Sequence, residues 1–122
     1  MPNPANECFA ALVATMHRLR APGGCPWDAE QTHESLRPYV IEEAYEVCEA
    51  IDHHDDGELA DELGDLLLQV LFHSELASER AAFTIVDVVD GLVAKLVRRH
   101  PHVFADDPAS SSAEVVANWT RI

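Results

Sequence analysis

Two pairs of acidic residues carry the most chemistry in this sequence. Glu43 and Glu46 stand three apart in EEAYE, and Glu62 and Asp65 stand three apart in ELGD. On a helix this spacing makes the two members neighbours on one face, so each pair offers two carboxylates in one direction. An ionised carboxylate held away from water and uncompensated costs on the order of several kcal/mol or raises its own pKa. Four of them facing one another repel unless a cation joins them. Arg37 is the single base between Asp28 and Asp65 and cannot neutralise them. Hard oxygen donors in this number suit Mg2+ or Mn2+. The competing reading is a solvated or ion-paired acidic surface, and periodicity alone leaves both open.

The elements that must position these pairs follow from apolar spacing. A helix over Leu36–Asp52 is expected after Ser35, with Pro38 in its first turn. Around it, Leu36, Val40, Ala44, Val47 and Ile51 fall within roughly 40° of one direction, the expected core face. Glu43 and Glu46 lie about 60° and 120° from that centre on one side, while Glu42 and Glu49 lie nearly opposite and read as solvated. In the next helix, Glu58–Glu79, the expected core is Leu59, Leu63, Leu66 and Val70. Glu58, Glu62, Asp65 and Gln69 form a polar stripe beside it that must line something. Leu67, Leu68, Leu71 and Phe72 cover most of the remaining circumference. A chain of 122 residues buries only about two-thirds of its unfolded surface, so these four residues are expected to be surplus and to form a homodimer interface.

Three further helices are expected. Asn6–Arg20 has Asn6 as N-cap and Phe9, Leu12, Val13, Met16 and Leu19 on one face. The run TIVDVVDGLVAKLVRR starts with Thr84 and Asp87 and stops before Pro101, and SSAEVVANWTRI starts with Ser111 and Glu114. Breakers stand at Ala21–Pro26, Asp55–Gly57, His100–His102 and Asp106–Pro108. No segment alternates with period two. The expected fold is an all-α bundle of four main helices plus short ones, in a single domain over residues 1–122.

Charge excludes other classes. Twenty-two acids against eight bases give a net charge of −14, which repels a nucleic-acid backbone. Fourteen of the acids lie between Asp28 and Asp65. No apolar run reaches the length of a membrane span, and the first residues do not resemble an export signal, so a cytoplasmic protein without membrane or nucleic-acid partners is expected. Cys8, Cys25 and Cys48 are an odd number without a CxxC pair and read as free thiols. The only ExxH, Glu30 to His33, falls short of a di-iron carboxylate pattern. His53, His54, Asp55 and Asp56 read as a solvated helix cap. No GxGxxG, Walker loop or GxSxG occurs.

The segments CPWDAEQTHESLRPYVIEEAYE (Cys25–Glu46), ELGD (Glu62–Asp65) and KLVRRHPHVF (Lys95–Phe104), with a late Trp119, resemble the MazG-type nucleoside triphosphate pyrophosphohydrolases. The resemblance runs from about Phe9 to Arg121. It implies an all-α dimeric fold and Mg2+-dependent cleavage of NTPs or dNTPs to the monophosphate and pyrophosphate, a nucleotide-pool house-cleaning activity. It also implies that Glu43, Glu46, Glu62 and Asp65 are the catalytic metal ligands. Lys95, Arg98 and Arg99 would hold phosphate oxygens, where the plainer reading is favourable placement at a helix C-terminus. Trp119 would stack the base, and Trp27 reads as a loop anchor. Longer family members carry two such domains in tandem, whereas this chain holds one. A catalytically silent helical module that binds nucleotide or protein is the alternative.

Overall fold

A computed structural model describes residues 3–106 and 111–121. They form seven helices and no strand: α1 (Pro4–Arg20), α2 (Pro26–Glu30), α3 (His33–Asp52), α4 (Asp56–Glu79), α5 (Ile85–Arg99), α6 (Pro101–Phe104) and α7 (Ser112–Arg121). The all-α class is therefore as the sequence implied. The helices fall into two compact units, α1 to α4 within Met1–Thr84 and α5 to α7 within Ile85–Ile122. The breaker at Asp106–Pro108 lies partly outside the described residues.

Helix starts differ from the sequence reading by a few residues, each for a capping reason. α1 begins at Pro4, which needs no N–H partner in the first turn, and Asn3 rather than Asn6 is the cap, accepting from the Ala5 N–H. α3 starts at His33 because Thr32 and Ser35 form a reciprocal capping box. Pro38 therefore stands in the second turn, not the first. It takes the helical N–H away from the carbonyl of Glu34, and both residues are exposed, so water can serve that carbonyl. α4 starts at Asp56 with Asp55 accepting from the Glu58 N–H at 3.1 Å. Between α3 and α4, His54 adopts a left-handed φ of 53° that lets the chain reverse in a short turn. α7 is capped by Ser111, whose hydroxyl accepts from the Glu114 N–H, as expected.

The first unit is an antiparallel α3–α4 hairpin with α1 laid against α4 and α2. Its core is Met16, Leu36, Ala50, Leu71, Phe72 and Ala77. This corrects the expected core faces. On α3, Ala44 is exposed and Ile51 is 53% exposed, whereas Ala50 is buried. On α4, Leu63 and Val70 face outward, while Leu71 and Phe72 lie in the core of their own chain and are not surplus. Only Leu67 and Leu68 of that group remain exposed. The Trp27 ring meets Tyr39 and Phe72 edge-on, with centroids 6.0 and 6.5 Å apart, as an anchor for α2.

Arg20, at the last turn of α1, ties the unit together. Its Nε and Nη2 donate to the two carboxylate oxygens of Glu79 at 2.6 and 2.7 Å. Nη1 donates to the carbonyls of Asp28 and Gln31, which end α2. The guanidinium also lies 5.9 Å from the Phe72 ring centroid. The chain must then turn sharply: Cys25 N–H donates back to the Leu19 carbonyl, and a Cβ on Gly24 would run into the carbonyl oxygens of Arg18 and Leu19.

Replacement of Arg20 by Met should lower unfolding stability by about 2 kcal/mol, the scale of lost charge-assisted hydrogen bonds. Arg20→Lys should not restore it, because an ammonium cannot span both Glu79 oxygens and two carbonyls. Urea denaturation followed by circular dichroism reads both changes.

Candidate functional site

Each helix of the hairpin delivers two acids to the seam between them. Glu43 and Glu46 come from α3, and Glu62 and Asp65 from α4. One carboxylate oxygen from each lies within 4.8 Å of the others, and all four side chains are half-buried. They do not flank an apolar stripe, as the wheel implied; on α3 they belong to the packed stripe itself, between Val40 and Ala50. Glu42 and Glu49 are exposed, as expected. The α4 stripe of Glu58, Glu62, Asp65 and Gln69 does line the seam, with every member buried or half-buried.

The electrostatic strain of this arrangement is legible in its protons. Burial pushes the Glu43 carboxyl up to about 6, aided by a hydrogen bond with Glu46 and by the charges of Glu46, Asp65 and Glu42. Glu62 is pushed up to about 7, first by a hydrogen bond to Glu46, then by burial and the charges of Glu46, Asp65 and Glu43. A proton on Glu62 thus relieves part of the repulsion within the cluster. Glu43 Oε2 and Glu62 Oε2 are buried without a hydrogen-bond partner. Orphaned hard oxygens on two of four converging carboxylates fit a divalent cation.

Residues 31–104 match the profile of the MazG nucleotide pyrophosphohydrolase domain. The chain belongs to this family. It is 59% identical over 107 residues to the nucleoside triphosphate pyrophosphohydrolase/pyrophosphatase MazG of Thermotoga maritima, covering 88% of this chain and 42% of that protein. It is 50% identical over 112 residues to the nucleoside triphosphate pyrophosphohydrolase of Escherichia coli (strain K12), covering 91% of this chain and 43% of that one. The chain thus spans less than half the length of these curated relatives. A crystal structure of a MazG-related protein from Thermotoga maritima superposes with a TM-score of 0.73 at 25% identity, covering 92% of this chain and 96% of that one.

In this MazG domain the other site residues read from sequence lie in the second unit. Lys95, Arg98 and Arg99 are in the last two turns of α5, and Trp119 is on α7. The structure brings two of them together: the Arg99 guanidinium lies 4.7 Å from the Trp119 ring centroid. His100 meets the same ring edge-on at 5.5 Å. Sequence reasoning missed the contact between His33 and His73, whose Nδ1 atoms are 2.7 Å apart. It weighed His33 only with Glu30, because 40 residues separate the pair and no local periodicity links them. His53 is the exposed C-cap of α3, as expected of a solvated cap, and it also contacts Glu58 at 3.0 Å, a carboxylate that raises the His53 pKa.

For Glu43 and Glu62 the folded pKa exceeds the unfolded one, so their contribution to stability is present while they are protonated and is lost as pH rises through the folded values. The metal-free melting temperature should fall between about pH 5 and pH 8. Mg2+ or Mn2+ should raise it more at the upper end, and Glu62→Gln should flatten the metal-free profile. Differential scanning fluorimetry in chelator and in metal across that range tests all three.

Proposed function

We propose that this chain carries the catalytic site of a nucleoside triphosphate pyrophosphohydrolase, cleaving NTPs or dNTPs to the monophosphate and pyrophosphate with Mg2+ as cofactor and Mn2+ able to replace it. The observation that carries this reading is the converging cluster Glu43, Glu46, Glu62 and Asp65 with its two orphaned oxygens. The activity for which the Thermotoga and Escherichia relatives are named supports it.

These four acids would hold the ions. Divalent ions held there would supply charge neutralisation for a triphosphate and polarisation of a water, the chemistry that in-line attack on the α-phosphorus with pyrophosphate as leaving group requires. Glu43 and Glu62 must release their protons when a cation enters, so metal affinity rises with pH. Lys95, Arg98 and Arg99 would take phosphate oxygens, and Trp119, with Arg99 over its ring, would take the base by stacking. Free Cys8, Cys25 and Cys48 suit a reducing cytoplasm. No described helix is long and apolar enough to cross a membrane.

We also propose a homodimer. Its support is apolar surface left open in each unit taken by itself: Leu67 and Leu68 on α4 of the first, and Val89, Leu92 and Val93 on α5 of the second, each 38–55% exposed. The partners are then the nucleotide and a second copy of this chain, with neither nucleic acid nor membrane involved.

Incubation with Mg2+ and a panel of NTPs and dNTPs should release pyrophosphate, and release of orthophosphate alone would overturn the activity. Glu43→Gln, Glu46→Gln, Glu62→Gln and Asp65→Asn should each lower turnover by about 1000-fold, the scale of losing a charge-stabilising group, while Glu49→Gln leaves it unchanged. Tight binding of a non-hydrolysable triphosphate without turnover of natural ones would make the chain a silent binding module.

Sedimentation equilibrium at micromolar concentration should give twice 13.5 kDa, and Leu68→Glu or Val93→Glu should shift it toward monomer. A clean monomer with full activity would refute the dimer.

A further inference from the structure

The α3–α4 seam holds three more orphaned polar atoms beyond the carboxylates. Gln69 is only 8% exposed, and its Oε1 is buried without a partner. The Nε2 atoms of His33 and His73 are likewise buried and unpartnered. Gln69 stands one turn past Asp65 on α4, about 6 Å along the axis, and His73 one turn further. His33 reaches the same place from the first turn of α3 through its Nδ1 contact with His73.

Their chemistry is specific. The two imidazole rings are parallel to within 6° with centroids 5.0 Å apart, so one Nδ1–H donates to the other Nδ1. Between neutral rings that bond leaves one Nε2 bare and one Nε2–H, an acceptor beside a donor. Burial and the neighbouring His33 lower the His73 pKa, which favours the neutral form of His73. The Gln69 carbonyl adds a second acceptor. Burying polar atoms without partners is costly, so these three atoms call for a hydrogen-bonding partner from outside the chain.

We propose that Gln69 and the His33–His73 pair form a hydrogen-bonding subsite for the non-phosphate part of the nucleotide, beside the carboxylates. The shared chemistry is a group bearing donors and an acceptor, met either by a base edge or by ribose hydroxyls. This rests on the nucleoside triphosphate reading above. It gives a place for substrate discrimination inside the hairpin, whereas stacking on Trp119 accepts any base.

The test is calorimetric titration in Mg2+ with inorganic triphosphate, ribose 5-triphosphate and α,β-methylene triphosphates of the four bases. Wild type should bind nucleotides more tightly than inorganic triphosphate. Gln69→Leu should keep its affinity for inorganic triphosphate and lose about 10-fold or more for nucleotides. A loss already present with ribose 5-triphosphate assigns the subsite to the sugar; a loss confined to full nucleotides assigns it to the base. Unchanged nucleotide affinity in a folded Gln69→Leu would overturn the proposal, as would a wild type that binds nucleotide no better than inorganic triphosphate. Failure of wild type to bind any of these ligands would instead defeat the nucleotide reading on which it rests. Should Gln69→Leu not fold, nitrogen-15 signals of the Gln69 amide and the two His Nε2 atoms report directly on wild type. They should move with nucleotide and not with inorganic triphosphate, and no difference would overturn the subsite.

Discussion

Like charges brought face to face govern this structure. Helix pairs ordinarily meet through apolar side chains, yet the central seam of the α3–α4 hairpin gives about one turn of each helix to Glu43, Glu46, Glu62 and Asp65. In a partly buried setting such charges repel more strongly than in water. The molecule answers by keeping protons on Glu43 and Glu62 well above the ordinary carboxylate range. A neutralising ion answers the same need better, since it also satisfies the orphaned oxygens.

A seam that is weak at its centre must be held elsewhere. Apart from Ala50 near the turn, the buried apolar residues of the hairpin lie toward the end near the α4 C-terminus, where Leu36, Leu71, Phe72 and Ala77 are buried. There Arg20 joins α1, the end of α2 and Glu79 of α4 with four hydrogen bonds, and His17 contacts Glu75 at 2.7 Å. The edge-on aromatic contacts of Trp27 fix α2 over the same region. The side-chain ties of α1 and α2 are thus gathered away from the carboxylates, which are positioned by two helices that are capped and continuous through them.

Much of this was legible in the sequence. The three-residue spacings placed each acidic pair on one face, the all-round apolarity of α4 implied that its polar stripe lines something, and breakers located the helices. The core faces were misread for a physical reason. A helix with apolar residues on several sides does not reveal which side is inside, so Ala44, Ile51, Leu63 and Val70 outweighed Ala50 and the acids themselves. Caps were misplaced where two capping residues compete nearby, Asn3 with Asn6 and Thr32 with Ser35. Arg20 with Glu79 and His33 with His73 join positions 59 and 40 residues apart, and no local pattern announces such pairs.

The short turn at His53–Asp55 has a consequence for how the protein acquires its function. All four acids belong to one helical hairpin, and only 22 positions separate the first from the last. Closing a loop of that size costs little chain entropy, with each doubling of length adding only about 0.6 kcal/mol. Contacts so close in sequence belong to the class that forms fastest during folding. The acidic cluster is therefore local in sequence, and its four side chains can meet early in folding, while the ties from α1 and α2 stabilise the hairpin that holds them.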